Sequence, residues 1–322
     1  MIPILFTGGT ISMQHDPAAG GAVPALRGRD ILAATRGIEQ VAEIAPEDWS
    51  AFPGPHMTPE RIWALRGRIA ELVAREDVEG VVVTHGTDTL EESAYVVARS
   101  VDASRPVVFT GAMRSGSDLG WDGPANLIDS VRVAASAAAR GYGSLVVMGG
   151  RVFPGLDVTK AHTHMLDAFE SPGLGPVGVV DDGRVIFRRA LPTAPPILAP
   201  AALGGPVDVV VAYSGADARQ LDALRADGAG VVVAALGRGN VPPAMVGGIA
   251  RWLAEGKPVV ISTRAARGRV GPTYGYEGAG RRLEEMGAIL AGGRRPWQAR
   301  IDLMLALGAG LDRGALAALF AR

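Results

Sequence analysis

Residues 81–95 read VVVTHGTDTLEESAY, and this stretch passes from a strand pattern to a helix pattern within a few positions. The β-branched run at its start is typical of a strand covered on both faces, as in a parallel sheet. Thr87, Asp88 and Thr89 stand at the junction, where the start of a helix offers N–H groups without a partner inside the helix. Because ligands of open parallel α/β sheets bind beyond the carboxyl ends of the strands, the junction predicts a polar binding site.

The alternation of strand and helix patterns extends outward from this stretch. Upstream, Thr58 is expected to cap an amphipathic helix that has Pro59 in its first turn. The predicted strands are IPILF, GVVVTHG, RPVVFTGA and SLVVMGG, and the predicted helices are RDILAATRGI, TPERIWALRGRIAELVARE, TLEESAYVVARSV and DGPANLIDSVRVAASAAARG. This order predicts an α/β fold with a parallel, flavodoxin- or Rossmann-like sheet in the larger, N-terminal part.

A proline-rich stretch divides the chain. Residues 189–207 show no helical or strand periodicity, which is typical of a linker. Beyond them the apolar runs VDVVVAY, GVVVAAL and PVVIST again alternate with helix patterns. We therefore predict an N-terminal α/β domain over 1–188, a linker over 189–207 and a smaller C-terminal α/β domain over 208–322.

Composition excludes several classes of function. The 322 residues are 48% hydrophobic and 20% charged, with a formal net charge of −1. No basic field for nucleic acid or an anionic membrane surface is expected from this balance. The chain has no cysteine, which excludes disulfides, cysteine nucleophiles and thiolate metal sites. Its beginning lacks the charged start and long apolar run of a secretory signal, so a cytoplasmic location is expected.

The motifs of the common cofactor and hydrolase folds are missing. TGGTIS does not fit GxGxxG, no GxxxxGK[ST] occurs, and no GxSxG is present, which disfavours a dinucleotide site, a P-loop and an α/β-hydrolase triad. His162 and His164 stand two positions apart, but no third ligand clusters with them, so they are expected to be loop residues rather than metal ligands. We therefore expect no metal site.

Three polar clusters fall near the predicted strand ends, at residues 7–12, 87–89 and 157–160. Taken singly, each fits an ordinary turn or a helix cap. Together they supply hydroxyl groups, a carboxylate and an amine. A threonine hydroxyl becomes a nucleophile when a base accepts its proton, and a neutral lysine can serve as that base. The three clusters therefore predict a site for nucleophilic catalysis by a hydroxyl group.

Several motifs, in order along most of the chain, resemble the bacterial-type L-asparaginase/glutaminase family. The motifs are TGGTIS, THGTDTLEESAY, RPVVFTGAMRSGSDLGWDGPANL, DVTKAHTHMLDAFESPGLGPVG and GRGN. The resemblance implies two α/β domains, of which the N-terminal one carries most of the catalytic residues. It also implies amide hydrolysis through an acyl-enzyme without a cofactor, on a small substrate such as asparagine, in a homodimer or homotetramer.

Matched by position, four residues take catalytic roles in this resemblance. Thr10 corresponds to the nucleophile, Thr87 to the second catalytic threonine, Asp88 to the carboxylate beside it, and Lys160 to the lysine paired with Thr87. Asn240 matches a residue that reaches toward a neighbouring subunit's site. The predicted substrate-binding residues are Gly9, Gly54, Pro55, Gly86, Ala112, Asn240, Tyr276 and Glu277.

The chain departs from the family pattern around the substrate. Residues 13–26, MQHDPAAGGAVPAL, contain no tyrosine where the family has one hydrogen-bonded to the first threonine. Gly54 stands where a serine binds the substrate's α-carboxylate. Tyr274 and Tyr276 are candidates for the missing tyrosine, and Glu277 is a candidate for a carboxylate near the α-amino group. The leading expectation is hydrolysis of L-asparagine; the alternatives are glutamine or another small amide, or an amino-acid-binding module with weakened catalysis.

Overall fold

The computed structural model describes residues 1–191 and 197–321 and divides the chain into two compact units, Met1–Ile197 and Leu198–Arg322. The last strand of the first unit ends at Phe187, and the first strand of the second unit begins at Val207. Part of the predicted linker, 192–196, lies outside the described residues. The domain boundaries 1–188, 189–207 and 208–322 stay a prediction.

The first unit contains twelve strands and four α-helices among its described residues. The strands are β1 Ile2–Gly8, β2 Met13–Asp16, β3 Gly21–Pro24, β4 Ile44–Phe52, β5 Val81–Thr84, β6 Val107–Thr110, β7 Ser144–Met148, β8 Arg151–Pro154, β9 Thr159–Lys160, β10 Phe169–Glu170, β11 Gly178–Asp181 and β12 Arg184–Phe187. The helices are α1 Gly28–Ala34, α2 Pro59–Val73, α3 Leu90–Ser100 and α4 Gly123–Ala135, and short 3-10 turns lie at Thr10–Ser12, Ile38–Gln40, Gly54–His56 and Ala137–Ala139.

Eight of these strands form one sheet in the order β12-β11-β8-β7-β6-β5-β1-β4. Strands β4, β1, β5, β6 and β7 run parallel, whereas β8, β11 and β12 extend the sheet by antiparallel pairs. Every residue of β1, β5, β6 and β7 is buried, as expected for parallel strands covered on both faces. The predicted α/β class is confirmed. The carboxyl ends of β4, β1, β5 and β6 consequently lie side by side at one edge.

The first unit differs from the sequence prediction in several strands and in one helix. The sequence did not indicate the short strands β2, β3 and β8–β12. Strand β4 was not predicted, because it mixes a proline and two acidic residues with apolar ones; it lies at the edge of the sheet, where such a composition is tolerated. The long helix predicted over 122–141 ends at Ala135, because Ser136 adopts an extended backbone conformation. By contrast, Thr58 caps α2 as predicted, its side chain accepting from Arg61 N at 3.4 Å.

The second unit is a smaller α/β layer. Its elements are β13 Val207–Val211, α5 Arg219–Leu224, β14 Gly230–Ala235, α6 Pro243–Ala254, β15 Val259–Thr263, α7 Gly280–Glu285, β16 Ile289–Leu290, α8 Pro296–Gly308 and α9 Arg313–Phe320. The four strands are parallel and ordered β13-β14-β15-β16. The predicted apolar runs VDVVVAY, GVVVAAL and PVVIST form β13, β14 and β15, whereas the short elements α7 and β16 were not predicted. No helix within residues 1–191 and 197–321 is long and apolar enough to cross a bilayer.

Candidate active site

Three glycines bring the turns after β1, β4 and β5 into backbone contact. A Cβ atom built on Gly9 would lie 2.4 Å from Gly86 Cα, and one built on Gly86 would lie 2.5 Å from Gly54 Cα. No side chain fits at such distances, so glycine is required where these turns meet. Thr10 follows Gly9 and Thr87 follows Gly86. The sequence-predicted threonines therefore stand on adjoining turns.

Hydrogen bonds fix the same three turns. Gly9 N donates to Phe52 O at 3.0 Å, which joins the end of β1 to the end of β4. Thr89 Oγ1 donates to Gly54 O at 2.8 Å, which joins the start of α3 to the 3-10 turn that follows β4. Pro55 follows Gly54 in that turn and is exposed. The predicted residues Gly9, Gly54, Pro55 and Gly86 thus lie in one small region.

A fourth turn, after β6, packs against Thr87. A Cβ atom on Gly111 would lie 3.3 Å from Thr87 Cγ2 and 2.6 Å from His85 O. His85 N donates to Thr110 O at 2.8 Å and continues the β5–β6 pairing to this point. Ala112, the next predicted residue, is fully buried directly after Gly111. The methyl side of Thr87 is therefore packed against protein, while its hydroxyl is used elsewhere.

The Thr87 hydroxyl belongs to a chain of polar contacts with Lys160 and Asp88. Lys160 Nζ lies 2.9 Å from Thr87 Oγ1 and 2.7 Å from Asp88 Oδ1. Thr87 is 5% exposed and the Lys160 side chain 16%, whereas the Asp88 side chain is 55% exposed. A hydroxyl, an amine and a carboxylate in hydrogen-bond sequence form the arrangement of a nucleophile or proton donor, a base and an orienting group. Residues more than seventy positions apart meet here, as the sequence clusters predicted.

Thr10 lies in a tight turn at the same edge of the sheet. It begins the 3-10 turn Thr10–Ser12, which the backbone N and the Oγ of Ser12 close by donating to Gly9 O at 2.9 and 2.8 Å. Thr10 is partly exposed. Among the described residues nothing hydrogen-bonds to its hydroxyl, which agrees with the absence of a tyrosine from residues 13–26. The Thr10 hydroxyl is thus available, as far as the described residues go, to contact a substrate.

His85 supports the turn that carries Thr87, and sequence reasoning gave it no role. Its ring is fully buried, with Nδ1 2.9 Å from Gly86 O and Nε2 2.9 Å from Ser93 Oγ. A carbonyl can only accept, so Nδ1 carries the hydrogen and Nε2 accepts from the Ser93 hydroxyl. Burial lowers the pKa of His85 to about 4, although donation to Gly86 O opposes this shift. The neutral ring therefore links α3 to the Gly86–Thr87 turn.

Three predicted residues lie in the second unit. Asn240 follows β14, and its Oδ1 accepts from Gly280 N at 3.4 Å. Tyr276 and Glu277 lie in the loop after β15; both are exposed, and Tyr276 stacks on Tyr274 with ring centroids 5.7 Å apart. Val241 N donates to Gly278 O at 2.8 Å, so the loops carrying Asn240 and Glu277 touch. Their contribution to the site stays a prediction.

The described part of the chain contains no group of three or more histidine, aspartate or glutamate side chains placed to hold a metal ion. His162 lies in an exposed loop, where its Nδ1 accepts from the backbone N–H groups of His164 and Met165 at 3.0 Å.

Comparison with known proteins identifies the family. Residues 1–193 match the family described as "Asparaginase, N-terminal", and residues 206–320 match "Glutaminase/Asparaginase C-terminal domain". The chain belongs to the asparaginase family. The members of this family are amidohydrolases, so the chain is an enzyme of that class. The resemblance read from the sequence motifs is confirmed.

Individual relatives in the asparaginase family span nearly the whole chain. The "Probable L-asparaginase" of Deinococcus radiodurans is 38% identical over 97% of this chain and 94% of its own length. The "Glutaminase-asparaginase" of Pseudomonas aeruginosa is 31% identical over 83% of this chain and 76% of its own length. The crystal structure titled "Probable Cytoplasmic L-asparaginase from Campylobacter jejuni" superposes with a TM-score of 0.89 at 32% identity, covering 100% of this chain and 99% of that one.

Proposed function

We propose that this enzyme hydrolyses the side-chain amide of L-asparagine to L-aspartate and ammonia through an acyl-enzyme on Thr10. The observation that carries the proposal is the contact of Lys160 Nζ with Thr87 Oγ1 at 2.9 Å, on a turn packed against the one that bears Thr10. Relatives named L-asparaginase support the choice of substrate.

Each group has a defined task in this reaction. Thr10 Oγ1 forms a bond to the amide carbon and loses its proton toward Thr87 and Lys160. N–H groups before α3 and the Thr87 hydroxyl stabilise the oxyanion. The amide nitrogen takes up a proton and leaves as ammonia, and water then cleaves the threonyl ester to release aspartate. Asp88, exposed on one side and bonded to Lys160 on the other, orients the lysine and faces the substrate's ammonium group.

The same distances favour a second assignment of the nucleophile. Thr87, Lys160 and Asp88 already stand in the order nucleophile, base and orienting carboxylate. In that assignment Thr87 forms the ester and the uncommitted Thr10 hydroxyl hydrogen-bonds the reacting amide. Both assignments give the same products. Peptide mapping of the trapped ester separates them, because the two threonines lie on different proteolytic fragments.

A second candidate substrate is glutamine or another small amide. Gly54 provides no hydroxyl for an α-carboxylate, although its turn touches Asp88: a Cβ on Gly54 would lie 3.3 Å from Asp88 Cβ. The name of the Pseudomonas aeruginosa relative also includes glutaminase. We rank asparagine first, since the Deinococcus radiodurans relative and the Campylobacter jejuni structure are both named as L-asparaginases.

The test is release of ammonia from L-asparagine, L-glutamine and D-asparagine by the wild type and by Thr10→Ala and Lys160→Met. We expect turnover fastest on L-asparagine and strongly reduced in both variants. If another amide is turned over faster, that amide takes the place of asparagine as the proposed substrate, and the proposed hydrolysis reaction stands. Binding of aspartate in calorimetry without ammonia release from any amide would instead identify a binding module, and the proposed reaction would be wrong.

We also propose a cytoplasmic homo-oligomer in which Asn240, Tyr276 and Glu277 contribute to substrate binding. The exposed stacked pair Tyr274 and Tyr276, 44% and 56% exposed, supports a covered surface in the assembly. Light scattering coupled to size-exclusion chromatography tests the assembly. A monomer that is fully active would contradict it.

A further inference from the structure

One short segment holds Lys160 at both ends. Its Nζ donates to Thr87 Oγ1 and Asp88 Oδ1, and its backbone N–H donates to Glu91 Oε2 at 2.7 Å. Glu91 lies in the first turn of α3, four positions after Thr87. The segment 87–91 therefore clamps both the backbone and the amine of Lys160.

The surroundings of Lys160 explain why such a clamp matters. Strand β9 consists of Thr159 and Lys160 alone and pairs with β10 in a two-stranded ladder that is separate from the main sheet. Residues 161–167, which follow at once, are all exposed. An isolated ladder of this size has little stability of its own. Its position relative to α3 consequently depends on bonds such as the one from Lys160 N to Glu91.

Glu91 suits this task in charge and in place. A carboxylate that accepts a backbone N–H forms a charge-assisted hydrogen bond, shorter and stronger than a neutral one. A negative side chain in the first turn of a helix also interacts favourably with the helix dipole. Helix α3 packs against β6 and β7 of the large sheet, so Glu91 fixes the position of Lys160 relative to that sheet.

We propose that Glu91 is a positioning residue, whose carboxylate fixes the Lys160 backbone so that the amine reaches Thr87 and Asp88. The inference rests on the proposed function of these residues. In this role Glu91 acts on the reaction through its bond to the Lys160 backbone. Displacement of a catalytic group by about 1 Å lowers rates by on the order of 100-fold, which sets the scale of the effect.

The experiment compares Glu91→Ala, which removes the acceptor, with Glu91→Gln, which keeps an oxygen at the same reach. We expect Glu91→Ala to lower kcat by about 10- to 100-fold with little change in KM, and Glu91→Gln to restore most of the activity. Asp312→Ala is the matched control. Asp312 Oδ1 accepts from Ala315 N at 2.8 Å at the start of α9, a carboxylate–backbone bond on an element of the second unit that carries no proposed site residue, and its loss should leave kcat unchanged.

A second readout does not depend on activity. Exchange of the Lys160 amide hydrogen, resolved by mass spectrometry of the free enzyme, should quicken in Glu91→Ala and stay slow in Glu91→Gln. Unchanged kcat in Glu91→Ala, or equal losses in the two Glu91 variants, would overturn the inference. If the wild type released no ammonia from any amide while Lys160 exchange still quickened in Glu91→Ala, the proposed function would fail and the positioning contact would stand.

Discussion

When His85 is replaced by glutamine, the enzyme should lose much less stability in mild acid than the wild type does. Burial holds the pKa of His85 at about 4 in the folded protein, against 6.5 for an ordinary histidine. At pH 7 neither the folded nor the unfolded chain is protonated there, so the full stability is present. As the pH falls below 6.5, His85 becomes protonated in the unfolded chain, whereas in the folded protein it stays neutral until about pH 4. The free energy of unfolding therefore declines by up to about 1.4 kcal/mol per pH unit.

This linkage gives a magnitude for the assay. Between pH 7 and pH 5 the contribution of His85 falls by about 2 kcal/mol. Equilibrium unfolding in urea at pH 5, 6 and 7, read by pulsed hydrogen exchange of peptides from β5 and α3, measures it in the relevant unit. Glutamine cannot take up the proton, so the free energy of unfolding of His85→Gln should change by about 2 kcal/mol less over this range than that of the wild type. Equal pH dependence in the two proteins would refute the reasoning.

The remaining predictions concern the turns and the polar contacts of the site. Gly9→Ala should abolish most activity, because its Cβ would lie 2.4 Å from Gly86 Cα and because its φ of 79° and ψ of −175° form a conformation adopted almost only by glycine. Gly37→Ala should retain activity, because no neighbour lies within 4 Å of its Cβ and its φ of 79° and ψ of 7° fall in the left-handed region; ammonia assays of both variants check this. Lys160→Met should lower kcat by about 100- to 10,000-fold while circular dichroism shows an unchanged fold. Thr87→Ala should cause a comparable loss in the ammonia assay, and wild-type turnover would exclude its role.

The sequence predicted the parts of the site that lie at the carboxyl ends of strands. Thr87 and Asp88 follow a buried apolar run, and Thr10 follows another, so a parallel sheet places them at the same edge. The order of the strands, which makes β1 and β5 neighbours, and the glycine contacts between their turns come from the structure alone.

The contacts that could not be predicted from the sequence join residues whose local sequence gives no sign that they meet. Glu91 and the Lys160 backbone lie 69 positions apart, and nothing in either segment marks the pair. His85 pairs with Ser93 through a ring nitrogen whose role depends on burial, which a single sequence does not show. Strand β4 was missed because an edge strand with a proline and acidic residues lacks the apolar run that identified its neighbours.

The central claim is that a threonine of the Gly9–Gly86 contact region becomes acylated with the help of Lys160. The most direct measurement is acid quenching of the enzyme during turnover of L-asparagine, followed by peptide mapping of the trapped ester. We expect an aspartyl ester on the peptide that contains Thr10, and its absence from Lys160→Met. An ester on Thr87 would show that Thr87 is the nucleophile, as in the second assignment. Release of ammonia with no ester on either threonine would contradict the account.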